Sequence, residues 1–239
     1  MTAAAPAAPA ADGATTRRRR RLPLFTEVII ALAAVALVQA FLVKPFGVPS
    51  QSMEQTLHIG DRIIVNRLDD TVTRGDVVVF GHGDTWQEKR LPDPANPVAR
   101  ALRAVGDVTG IGPSSTAYTV TRVIGLPGER VACCTGDGRV TVDDQPLDET
   151  YVHEDLPFTA GSLDCSSSPR STRCFPEIRV PDGNLLVLGD HRSQSADSVI
   201  GCRGATEGPE CARFVPHERV VGPVVLRFWP LRDAGKLAR

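Results

Sequence analysis

Between Leu22 and Val43 the chain is almost wholly apolar, with Val28 to Val38 reading VIIALAAVALV, and the five consecutive arginines Arg17 to Arg21 precede it. At a rise of about 1.5 Å per residue such a run, built as a helix, spans roughly the ~30 Å hydrocarbon layer of a membrane. Glu27 near its start and Gln39 near its end can reach the interface. A cleaved secretory signal also begins with a basic and an apolar stretch. This apolar part is longer than a signal peptide needs, and Val43-Lys44-Pro45-Phe46 is a poor small-residue cleavage site, so an uncleaved anchor is expected. The arginines then stay cytoplasmic and everything after Lys44 is exported. Residues 1–16, rich in Ala and Pro, bury too little to offset their ordering entropy, so 1–21 reads as a disordered basic tail, 22–43 as a transmembrane helix and 44–239 as an extracytoplasmic body.

Charge supports the same division. The net charge is −1, yet residues 1–44 carry six Lys/Arg against Asp12 and Glu27, so the body is acidic. Nucleic acid is excluded as the main partner, because phosphate binding needs a basic face on the folded part. Membrane lipid is the expected partner instead.

All six cysteines lie between Cys133 and Cys211, within the exported part, where disulfides persist. Cys165 with Cys174 and Cys202 with Cys211 would each close a short loop, although six cysteines allow 15 connectivities. A bond between the neighbours Cys133 and Cys134 would fight the preferred Cα spacing, so either is expected to reach elsewhere or stay free. Zinc is the rival reading, and the spacings lack the paired CxxC form.

Past the apolar run the pattern changes to short β-branched or apolar stretches bounded by Gly, Pro and Asp: 62–65, 76–80, 119–124, 139–142, 184–188 and 220–228. A mostly β body is expected, with a turn at Asp143-Asp144-Gln145-Pro146. Residues 81–117 and 150–178 look like loop-rich insertions between strands.

Four segments carry the chemistry. They are Phe46-Gly-Val-Pro-Ser50-Gln-Ser52-Met53-Glu-Gln-Thr-Leu57, Arg74-Gly-Asp76-Val-Val-Val-Phe80, Arg122-Val-Ile-Gly125-Leu-Pro-Gly128-Glu129, and the stretch from Val180 through Gly189-Asp190-His191-Arg192-Ser-Gln-Ser195-Ala-Asp197-Ser198. In this order, behind an apolar helix, they resemble bacterial signal peptidase I, the leader peptidase family, over roughly residues 24–230. The resemblance implies an antiparallel β catalytic body after one transmembrane helix. It implies a membrane-anchored serine endopeptidase that removes signal peptides from exported preproteins at Ala-x-Ala type sites. By position, Ser52 is the nucleophile, and Ser50 with the Ser52 backbone holds the oxyanion. Phe46, Val48, Leu57 and Val120 would line shallow pockets for small substrate residues. Arg122, Asp190, Ser195 and Asp197 would support the site. Signal peptides, delivered by the secretion machinery, are the implied partners. No metal or organic cofactor is implied, since hydrolysis by this route needs only protein groups and water.

Three positions depart from that family. The general base is a Lys immediately before the Arg of the Gly-Leu-Pro-Gly block, and here the pair is Thr121-Arg122. A buried Lys accepts the serine proton because desolvation lowers its pKa, whereas a Thr hydroxyl cannot hold that proton and a guanidinium stays charged. With 24 Arg and three Lys, a drift toward Arg would have given Arg at this position rather than Thr. The substitute candidates are His191, beside Asp190, and Lys89, in the first insertion; His58, His82, His153 and His217 read as ordinary. The family also continues Ser-x-Asp-Ser with an Arg that pairs with the Asp, where this chain has Val199, and Gln55 replaces a Pro, which is expected to affect only turn stiffness. A second function therefore stands beside the first: a weak or inactive homologue that binds signal peptides, or serves as a regulatory membrane subunit of an active paralogous peptidase.

Overall fold

The computed structural model describes residues 23–82, 86, 96–109, 117–204 and 208–237. Two compact units divide between Ala34 and Val35. Helix α1 (Leu24–Phe41) begins in the first and ends in the second. It is apolar on every side, with Leu24, Phe25, Val28, Ile29, Ile30 and Leu32 all exposed. At 18 residues it is shorter than the expected run, because Leu42 forms a turn and Val43 already pairs with Asn66 in a sheet. No helix among the described residues is long and apolar enough to cross a membrane.

In the second unit, strands β1 (Val43–Gly47), β2 (Arg62–Asn66), β3 (Val77–Gly81), β4 (Tyr118–Gly125), β5 (Arg130–Cys133), β6 (Val140–Val142), β7 (Gln145–Pro146), β8 (Phe175–Arg179), β9 (Asn184–Leu188), β10 (Val215–Pro216) and β11 (Val220–Trp229) form two sheets. The larger runs β1-β2-β11-β3-β4-β9-β10 and the smaller β7-β6-β5-β8. Every pairing is antiparallel. The mostly β expectation holds.

Period-two alternation sorts the side chains of the central strands. Val77 and Val79 of β3 pack with Phe46, Val48, Met53, Leu57, Ile63, Val65 and Val120, while Val78 and Phe80 face a second cluster with Trp86, Val123, Leu185 and Val187. The alternate residues of β9, Leu186 and Leu188, join Ile124 against Val131, Val140, Val142, Phe175 and Ile178 of the smaller sheet. Strands buried on both faces read as continuous apolar runs, which is why β3 and β9 were legible. Strand β11 serves two neighbours, pairing with β3 through Val220 to Pro223 and with β2 from Val224 onward. The crossing depends on Gly222, at φ +148°, where a Cβ would lie 1.9 Å from the Asn66 carbonyl oxygen.

The expected turn forms with Asp143 and Asp144 at φ +47° and +66°, the left-handed pair that closes a two-residue hairpin between β6 and β7. The first insertion is not all loop. Helix α2 (Pro97–Thr109) starts where the Asn96 side chain accepts from the Ala99 N–H at 2.7 Å and Pro97 supplies a ready helical φ. The second insertion ends in β8, which pairs with β5. Cys165 joins Cys174 and Cys202 joins Cys211, as expected. The expectation for the remaining pair is corrected: Cys133 and Cys134 bond to each other across a cis peptide, their Cα atoms 3.0 Å apart. No free cysteine remains among the described residues.

Candidate active site

The segment after β1 closes a compact turn. The Glu54 N–H donates to Gln51 O and the Leu57 N–H to Met53 O at 2.7 Å, with Met53 and Leu57 buried beneath as apolar anchors. This holds Ser52 half-buried at the surface, its Oγ 3.2 Å from Ser50 Oγ. Gln55 takes φ +77°, a conformation that a proline ring fixed near −65° cannot adopt. The substitution there therefore changes the backbone path and not stiffness alone.

From the other side comes the loop after β9. The His191 N–H donates to the Ser52 carbonyl at 3.1 Å. Gly189 is the point of closest approach: a Cβ on it would lie 2.3 Å from Ser195 Oγ and 2.5 Å from Ser52 O. Ser52 and Ser195, 143 positions apart in the chain, thus pack on one bare backbone.

Beside them the β4 residues differ in what they contribute. Arg122 is fully buried and donates from Nε and Nη2 to the two carboxylate oxygens of Asp190 at 2.8 and 2.7 Å, and from Nη1 to Gly75 O at 2.7 Å. Thr56 bridges the pair, donating to Asp190 and accepting from Arg122. The Tyr151 ring covers the guanidinium at 3.9 Å, and burial pushes its hydroxyl well above the usual phenol range, so the ring stays neutral under the cation. The fork-to-fork geometry and the filled donor set let a buried ion pair repay its desolvation. Thr121, one residue earlier, is buried and donates its hydroxyl to the Leu188 carbonyl at 3.1 Å. It brings no basic group.

The substitute bases fare differently. Lys89 lies outside the described residues. His191 is buried, but its ring faces carboxylates, with Nδ1 3.3 Å from Glu54 Oε2 and Nε2 3.1 Å from Glu154 Oε2. Its main chain, not its imidazole, is what meets Ser52. Phe46, Val48 and Val120 retain 8, 4 and 6% exposure in one cluster, while Leu57 at 0% supports the others from within and has no surface for a substrate.

The family model described as signal peptidase, peptidase S26 matches residues 21–229. The chain belongs to that family. It is 32% identical to a probable signal peptidase I of Mycobacterium leprae, over 94% of this chain and 82% of that protein. It is 33% identical to a signal peptidase I of Mycobacterium tuberculosis, over 90% of this chain and 75% of that protein, and 30% identical to one from Leptolyngbya laminosa, over 97% and 93%. Signal peptidases of this family are serine endopeptidases that remove signal peptides.

Against that family pattern, the loss of the Arg after Ser-x-Asp-Ser is repaired elsewhere in this signal peptidase chain. Val199 is fully buried in the core, and Arg203 Nη2 lies 2.8 Å from Asp197 Oδ2 instead. Burial pushes the Asp197 carboxyl up from its usual range, and Arg203 opposes that shift. Arg213 donates to the carbonyls of Asp197 and Ala196 at 3.0 and 2.7 Å. Asp197 therefore braces its own loop. Sequence reading also missed Thr56 and Tyr151, whose partners lie tens of residues away, and His153, whose ring packs edge to face on His191.

Proposed function

We propose that this chain is a membrane-anchored signal peptidase that binds signal peptides of exported preproteins at small-residue, Ala-x-Ala type sites and cleaves them slowly through Ser52. The observation that carries the reading is the packing of Ser52 and Ser195 on Gly189, next to the buried Arg122–Asp190 pair. In this mechanism Ser52 Oγ attacks the scissile carbonyl and gives up its proton to water, and Ser50 with the Ser52 N–H stabilises the oxyanion. The peptide C–N bond breaks as the departing amine takes a proton from water, and a second water hydrolyses the acyl-serine ester. Phe46, Val48 and Val120 accept the small side chains. Arg122 and Asp190 fix the loop after β9, and Ser195 fixes the position of Ser52.

Slowness follows from Thr121. In a comparable nucleophile–base system, losing the base costs on the order of 10⁶ in kcat, while oxyanion hole and binding retain roughly 10³–10⁴ over water. From a typical ~10 s⁻¹ that leaves about one turnover per day. Thr121 is also what favours the second reading, a signal-peptide-binding or regulatory subunit that works beside an active peptidase.

Anchoring is supported by α1. A helix apolar all round belongs in a core or a bilayer, and the Leu, Ile, Val and Phe side chains of α1 are exposed. At 18 residues α1 falls short of a bilayer span by itself, so the anchor is proposed on the longer apolar run 22–43 of the sequence. The N-terminus is then cytoplasmic and the β body extracytoplasmic, as the Arg17–Arg21 run argues.

The test is cleavage of a preprotein bearing an Ala-x-Ala site by detergent-purified wild type, Ser52→Ala and Thr121→Lys. Slow wild-type cleavage abolished in Ser52→Ala, with a gain of about 100-fold or more in Thr121→Lys, supports the peptidase. Silence in wild type with activity in Thr121→Lys assigns the chain to the binding role. Silence in all three overturns the assignment of the site.

A further inference from the structure

The segment that opens the second insertion folds back onto the loop after β9. His153 and His191 form an isolated parallel bridge, with the His153 N–H donating to Asp190 O at 2.9 Å and the Arg192 and Ser193 N–H groups to His153 O and Glu154 O at 3.2 and 3.1 Å. Glu154 stands at φ +39°, an uncommon conformation for a side chain of this kind. Its carboxylate lies between the two imidazoles, Oε2 3.1 Å from His191 Nε2 and Oε1 3.8 Å from His153 Nε2. One ligand atom from each of the three residues falls within 4.8 Å of the others.

Two imidazole nitrogens and a carboxylate make a zinc-type donor set. Around a tetrahedral ion with bonds of about 2.0–2.2 Å, neighbouring donors sit about 3.3–3.6 Å apart, so binding draws these atoms together, with the exposed Glu154 and partly exposed His153 side chains the ones with room to move. An imidazole that ligates through Nε2 carries its proton on Nδ1, and that proton needs an acceptor. His191 Nδ1 is buried and makes no hydrogen bond among the described residues, with Glu54 Oε2 3.3 Å away and off the line of one. The orphaned atom and the waiting carboxylate form the outer half of a carboxylate–histidine–metal relay. The other side is open: the Glu154 and His153 side chains are 66% and 36% exposed, which leaves room for water as a fourth ligand.

We infer that His153, Glu154 and His191 bind one divalent transition-metal ion of the zinc class, with Glu54 accepting from His191 Nδ1. The ion ties the second insertion to the Ser52 turn, because Glu54 lies two residues past Ser52 and the His191 N–H holds the Ser52 carbonyl. The sequence spacing gave no hint of this, since His153 and His191 stand 38 positions apart. Among the described residues a second cluster of candidate ligands, Cys134, Cys165 and Cys174, is ruled out because all three sulfurs are in disulfides.

The experiment is calorimetric titration of ZnCl₂ into the full, untagged, chelator-stripped chain in detergent, with MgCl₂ as control, together with thermal unfolding in both salts. One site per chain with Kd of about 1 μM or tighter for zinc, none for magnesium, and a zinc-dependent rise in Tm are expected. His153→Ala, at a partly exposed position, should weaken binding about 100-fold and abolish the Tm rise while its circular dichroism matches wild type. Glu54→Gln, which keeps both histidines, should weaken binding about 10- to 100-fold. Absence of zinc binding in wild type, or unchanged affinity in a folded His153→Ala, overturns the proposal.

Discussion

Gly189 shows how much of the site rests on a missing side chain. The loop after β9 reaches Ser52 only because nothing projects from this Cα, and its neighbours are a backbone oxygen and a short, buried hydroxyl. Neither can swing aside as the end of a long side chain would. Gly189→Ala is therefore expected to lose about 1–3 kcal/mol in urea unfolding and to abolish any Ser52-dependent cleavage. Wild-type stability in that variant would show that the two loops are not held at this distance. The positions of Ser50, Ser52, Thr121, Arg122 and Asp190 in the proposed site could be picked out in the sequence because each sits within a short run whose neighbours mark it. Arg203 was not: its partnership with Asp197 depends on the chain turning after Ser198 so that Val199 enters the core and the fourth residue beyond supplies the charge. For Gln55, residue type alone hid the positive φ.

Strands with both faces covered announce themselves, and β3, β4 and β9 matched their apolar runs. Short half-buried strands such as β5 and β8 carry too few apolar residues to stand out, and β8 contains Pro176. The α2 start was signalled by Asn96-Pro97, a cap followed by a first-turn proline, but the surrounding Gly, Pro and Asp outweighed it. The loop closed by Cys165 and Cys174 is organised by one carboxylate. Asp164 accepts from the Ser166 hydroxyl and N–H, the Gly161 N–H and the Ser167 N–H, and these donors, the Ser166 hydroxyl first, lower its pKa to about 2. A carboxyl depressed in the folded state contributes stability above the usual carboxylate pKa of about 4 and loses it as pH falls through the folded value. Amide protection in residues 159–167, measured relative to the unstructured chain at the same pH, should thus fall between about pH 4 and 2, and Asp164→Asn should remove that pH dependence. An Asp164→Asn loop with the same acid limb would assign the loosening to another group.

For the molecule as a whole, the proposed anchoring through α1 has the largest consequence for where chemistry can occur. Cells producing the full chain should yield it in the membrane fraction, resistant to high salt and released by detergent, while a chain starting at Leu42 should appear in the soluble fraction; a full chain washed off by salt would mean that α1 lies on the surface or packs elsewhere. The β body also divides in its dependence on surroundings. All three disulfides lie in the smaller sheet, the second insertion and the loop that carries Arg203, and none staples the strands around Ser52. A reducing host would therefore deliver a protein whose larger sheet and Ser52 turn are assembled while the Cys202–Cys211 clasp beside Arg203 stands open. Such a preparation would look folded by its strand content and still be unfinished at the Asp197 loop, so the last step in bracing that loop is an oxidation and not a folding event.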